Sequence, residues 1–135
     1  RGLLAALRDE DAEAGVRAGV AHHLGWVEAN RARARFLMRR REAEVVAVSK
    51  GDVAVLNKRF FAALAEWHAP LAADGAIRDL EIPLLCAIWW GPAQEYARGV
   101  LESGRSPRSL LADAEPALAD AAWAALAPPR LRSSR

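Results

Sequence analysis

Cysteine is almost missing from this chain of 135 residues: Cys86 stands alone. A single thiol excludes an internal disulfide and any multi-cysteine metal site, and it fits a reducing, intracellular (cytoplasmic) compartment. No apolar run reaches the roughly 18 residues of a bilayer span, and no secretory signal opens the sequence. β-Branched residues are sparse and no stretch alternates apolar with polar residues, which argues against a strand-rich fold. A glycine-rich phosphate loop and a nucleophile-elbow pattern are both lacking, so nothing signals an enzyme, and no cofactor is expected. Charge of one sign is not in excess either: 19 Lys and Arg stand against 17 Asp and Glu, a formal net charge of +2. The isoelectric point near 9.2 comes from arginine and does not by itself describe a nucleic-acid binder.

What is present in quantity is alanine and leucine, strong helix formers, which predict an all-helical fold of about five to six helices. At this length one domain is expected, residues 1–127, with PPRLRSSR (128–135) as a loose tail. The chain opens with RGLLAAL, which reads as the tail of a helix already under way, so a longer protein is expected. A short helix end over 2–7 precedes an amphipathic helix from Ala12 to Ala29, with Val16, Gly19, Val20, His23, Leu24, Trp26 and Val27 on one face. Asn30 is the expected N-cap of a short helix from Arg31 to about Arg41. Ser49 and Asp52 suggest a weak capping box, and a strong helix is predicted over Asp52–His68, ended by Pro70 and Asp74-Gly75. Pro83 opens the next helix and Ser103-Gly104 closes it. Ser106-Pro107 marks another start, and Asp113 is expected to cap a final helix with Pro116 in its first turn.

The segment IPLLCAIWWGPAQEYARGVL, Ile82 to Leu101, is the most informative. On a helix, Leu85, Ile88, Trp89, Pro92, Tyr96 and Val100 form one apolar stripe, and Cys86, Trp90, Ala93, Ala97 and Leu101 a second. Two apolar stripes call for two partners: the chain's own core and another surface, expected to be an identical copy. Trp90 and Trp123 are placed on that second surface, since each tryptophan buries roughly 150–250 Å². His23 lies on the apolar face of its helix near Trp26, while Asn57 and His68 flank a stripe of Phe60, Leu64 and Trp67. Aromatics with a few inward polar groups can line a small-molecule pocket; a satisfied core histidine among ordinary core aromatics is the plainer reading. His22 and His23 point about 100° apart and so do not form an i, i+4 metal pair. Cys86, in an apolar run, reads as structural, because burial raises a thiol's pKa. Arg31, Arg33, Arg35, Arg39, Arg40 and Arg41 make one basic edge, read first as solvated charge and secondly as a contact near DNA phosphate.

Four segments, HHLGWVEANRARARFL, Phe60–Trp67, WWGPAQEYAR and DAAWAAL, resemble the C-terminal half of tetracycline-repressor (TetR) family transcription regulators, a likeness extending from about Gly2 to Leu126. The resemblance implies an orthogonal helical bundle whose last two helices form a four-helix bundle with a second copy. It implies a pocket lined by His23, Trp26, Asn57, Phe60, Leu64, Trp67, Leu85 and Trp89 for a small apolar or aromatic effector. It also implies a homodimer interface of Trp90, Pro92, Ala93, Tyr96, Ala97, Leu101, Leu118, Ala122 and Trp123. Nothing here resembles the family's N-terminal helix-turn-helix head, so operator DNA would be met only through a domain outside this sequence. Two rivals stay open: a helical dimeric interaction module without a ligand, and a small hydrolase or redox enzyme pairing His23 with Cys86.

Overall fold

The computed structural model describes residues 11–34, 44–104 and 107–129, with side chains from 58 in the second stretch and from 111 in the third. The regular structure of the described residues is all helical, with no strand among them. Four helices carry the fold: α1 (Ala12–Ala29), α2 (Glu44–Ala73), α3 (Ile82–Ser103) and α4 (Pro107–Leu126). None of them is long and apolar enough to cross a membrane. The expected helix end over residues 2–7, the arginines from Arg35 to Arg41 and the last six residues of the tail lie outside the described residues. So do the side chains of Ser49, Asp52 and Asn57.

Helix α1 spans the length that the sequence predicts. Asp11 caps its start, its Oδ1 accepting the Ala14 N–H at 2.7 Å, and Glu13 in the first turn suits the positive end of the helix dipole. Asn30 acts differently from expectation. Its side chain does not cap the next helix but turns back, Nδ2 donating to the Trp26 carbonyl at 2.9 Å. Its own carbonyl still accepts the Ala34 N–H, which begins a further helical turn at residues 31–34.

Helix α2 corrects the predicted start. It runs unbroken from Glu44, so Ser49 and Asp52 lie inside it and not at its start. Pro70 is likewise inside, in the last helical turns, where it is exposed and the helix ends shortly afterwards. Asp74-Gly75 supplies the true stop. Gly75 takes φ 76°, its N–H donates to Ala72 O at 3.1 Å, and Ala76 N–H reaches Leu71 O at 2.9 Å. That pair of bonds is a Schellman closure, and it needs the left-handed conformation that glycine adopts without strain.

Helix α3 has Pro83 in its first turn and ends at Gly104, φ 76°, as expected. Helix α4 begins at Pro107 and continues to Leu126 without interruption, so Asp113 is an exposed mid-helix residue and not a cap. Arg78, in the loop between α2 and α3, closes its C-terminal end. The Arg78 N–H donates to Leu126 O and its guanidinium to Ala125 O, both at 3.0 Å. A cation on those free carbonyls also faces the negative end of the helix dipole. His68, buried on α2, holds the same loop through a 2.8 Å contact between Nε2 and Arg78 O.

The core is built by α1, α3 and α4 on one another. Val16, Val20, Leu24 and Val27 come from α1 and Leu111, Ala119, Ala122 and Leu126 from α4. From α3 come Leu85, Trp89, Ala93, Ala97 and Leu101, spaced every four residues. Alanines in the middle of that series let the other two helices approach closely. Arg17 ties α1 to α4 at the surface, 2.6 Å from Asp120, and reaches Glu13 at 3.0 Å. Both pairs are exposed and contribute little stability. Helix α2 leans on α3, with Leu64 buried and Phe60 and Trp67 packed against the core. Pro128, assigned to the tail from sequence, is buried.

Candidate functional site

Four aromatic side chains from α2 and α3 form one continuous wall against α1. Trp89 and Trp90 stack nearly parallel, centroids 4.1 Å apart and planes at 9°. Trp67 lies 5.2 Å from Trp89, and Phe60 lies 6.1 Å from Trp90 and 5.8 Å from the exposed Phe61. Tilted and offset arrangements of this kind suit the ring quadrupoles. Each indole of the α3 pair also grips the backbone of α1. Trp89 Nε1–H donates to Val16 O at 2.9 Å, and Trp90 Nε1–H donates to Gly19 O at 3.1 Å.

Gly19 makes this grip possible. A Cβ built there would stand 2.7 to 2.9 Å from three atoms of the Trp89 indole, closer than any real contact. The sequence reading placed Gly19 on the buried face without giving it this role. The signal was available: a glycine in the interior of an amphipathic helix costs about 1 kcal/mol relative to alanine, so its presence on the packed side calls for a steric reason.

Of the eight residues expected to line a pocket, Phe60, Leu64, Trp67, Leu85 and Trp89 come together in this wall and the core behind it. Trp89 is only 1% exposed. Trp26 is half-buried against the same core, and the Asn57 side chain lies outside the described residues. His23 is half-buried, but its Nε2 is sealed from solvent and has no hydrogen-bond partner. Burial, with a smaller contribution from the neighbouring His22, pushes the His23 pKa below its ordinary value. His22 itself is exposed, as expected.

The residues assigned to a second copy are distributed differently. Ala93, Ala97, Leu101 and Ala122 are buried within the chain itself and offer no surface to a partner. Trp90 belongs to the aromatic wall, and Trp123 and Leu118 are half-buried against the chain's own core. Pro92 and Tyr96 do face outward, Tyr96 at 39% exposure, together with Leu84 at 45% and the half-buried Ile88. These lie at four-residue spacing on one side of α3. The physical reason for the rearrangement is the width of the apolar arc. Stripes split evenly by periodicity are not split evenly by packing, because the buried strip on α3 winds between them.

A separate, half-open cleft of about 90 Å³ lies between α1 and α4, lined by Ala21, Leu24, Gly25, Glu28, Leu111, Ala112 and Glu115. It is far below the ~300–1,000 Å³ of typical ligand sites. Cys86 is half-buried and its thiol is pushed up by desolvation, which disfavours a thiolate nucleophile. Among the described residues no three of His, Cys, Asp and Glu come together in a group that could hold a metal ion. Arg31 and Arg33, the described members of the basic edge, are exposed. No protein-family model, curated protein or solved structure matches this chain.

Proposed function

We propose that this chain is the effector-binding and dimerisation half of a TetR-like transcription regulator, held in the cytoplasm, in which operator DNA is met by the family's helix-turn-helix head. The observation that carries this reading is the outer side of α3, where Leu84, Ile88, Pro92 and Tyr96 form an apolar line interrupted by Glu95. A face of that kind is costly in water and is relieved by a twofold mate that presents the same face. Such a dimer sets the distance between two heads, which has to match half-sites about one helical turn or a multiple apart. An effector that prefers one packing of the aromatic wall shifts the population between spacings, and about 1–3 kcal/mol of preference changes occupancy appreciably. The dimer in this proposal is centred on Pro92, Tyr96, Ile88 and Leu84, with the alanines of α3 given to the interior.

The test is sedimentation of the purified chain and of Ile88→Asp. The wild type is expected as a dimer and the variant as a helical monomer. A monomeric wild type at tens of micromolar removes the proposal. A second reading, a dimeric helical interaction module without a ligand, is favoured by one observation: the indole N–H groups of Trp89 and Trp90 are already satisfied within the chain. It predicts a dimer whose melting no small aromatic compound changes.

A further inference from the structure

We propose that His23 is the hydrogen-bond acceptor for an uncharged aromatic ligand that brings its own donor, a phenol- or indole-like compound. This names the effector class for the site in the regulator reading and rests on that reading for its biological setting. His23 lies in the middle of the buried arc of α1, with Gly19 one turn before it and Val27 one turn after, both buried. Its Nε2 is shielded from water and unpartnered. A buried polar atom left without a partner is costly, and native structures contain few of them.

The chemistry of the missing partner follows from the ring. Desolvation keeps the imidazole neutral, so only one of its two nitrogens carries a proton. We take the tautomer with the proton on Nδ1 and the lone pair on the sealed Nε2, which leaves an acceptor and not an N–H without a partner. A lone pair asks for a donor. Carboxylates, ethers and hydrocarbons have none, and a cation would have to shed its hydration among apolar neighbours. The aromatic part follows from position. The Gly19 carbonyl, which in an α-helix accepts the His23 backbone N–H, also takes the Trp90 indole N–H at 3.1 Å. The His23 backbone therefore adjoins the Trp90 end of the aromatic wall, with Trp26 three positions further along α1. Because Nε2 is sealed, the ligand enters in this proposal by parting the side chains over it, its flat ring against these rings and its hydroxyl or N–H on Nε2.

The experiment is calorimetric titration of the 135-residue chain with phenol, anisole, toluene and benzoate, repeated on His23→Phe and His23→Gln. Phenol should bind about five- to tenfold more tightly than anisole, the ratio that one neutral hydrogen bond supplies. His23→Phe should abolish that preference, and His23→Gln, which keeps an acceptor, should retain part of it even if the phenylalanine variant folds poorly. Equal binding of phenol and anisole, tightest binding of benzoate, no binding of any of the four, or a preference that survives His23→Phe each overturns the proposal. Sedimentation of the same samples separates the two readings. A dimer without phenol preference loses the ligand assignment alone, whereas a monomer with phenol preference loses the regulator reading alone.

Discussion

Replacing Gly19 by alanine should destabilise this protein, although alanine is the better helix former. The substitution gains about 1 kcal/mol of helix propensity. Against that, the new methyl carbon would stand 2.7 Å from Cζ2, 2.8 Å from Nε1 and 2.9 Å from Cε2 of Trp89. That indole has little room to withdraw: it is 1% exposed, stacked on Trp90 and bonded to Val16 O. Overpacking of a rigid core side chain costs about 1–3 kcal/mol. If the indole does withdraw, an N–H is stranded in the interior at a further ~1–3 kcal/mol. The net expectation is a loss of about 0–2 kcal/mol if the indole stays, rising by a further ~1–3 kcal/mol if its N–H is stranded, and each kcal/mol lowers the melting temperature by roughly 3–5 °C for a chain of this size. Gly25 supplies the control on the same helix. It is exposed, nothing lies within 4 Å of its notional Cβ, and Gly25→Ala should stabilise by up to about 1 kcal/mol. Urea unfolding followed by tryptophan fluorescence and helical circular dichroism measures both. Shifts of the same sign for the two variants would refute the proposed grip of α3 on α1.

Two further outcomes follow from the same geometry. Removing the cap of α1 by Asp11→Ala should cost about 1 kcal/mol in urea unfolding, because the Ala14 N–H loses its acceptor; an unchanged midpoint would show that water replaces the carboxylate without loss. Stability should also depend on pH through His23. Its folded pKa lies below the ordinary 6.5, so between the two values the unfolded chain binds the extra proton and the native state does not. The stabilisation is complete above about 6.5 and is lost as pH falls from there towards the lowered folded value; His23→Phe should flatten that segment of the stability profile. A profile that is already flat in the wild type would mean the ring titrates freely in the folded state.

Local signals in the chain were read correctly wherever a short stretch decides its own conformation. Ala12–Ala29 showed its apolar face, Asp74-Gly75 and Gly104 marked left-handed closures, and Pro83 and Pro107 marked first turns. Signals that depend on a competitor were misread. Ser49, Asp52, Pro70 and Asp113 look like boundaries, yet each lies inside a helix. Adding helical hydrogen bonds to an existing helix outweighs one poor residue.

Sequence alone determined the all-helical class and that Ile82–Ser103 is apolar over more of its circumference than one contact surface needs, while the gathering of aromatic residues from α2 and α3 was implied only by the resemblance. Tertiary structure decided which part of that circumference turns inward. Periodicity gives the width of an apolar arc, but the direction it faces depends on where the neighbouring helices cross. Trp89 went inward because Gly19 has no Cβ to meet its indole, and Ala93 and Ala97 went inward because small side chains let α1 and α4 close over them. Tyr96 stayed outside because neither helix covers it.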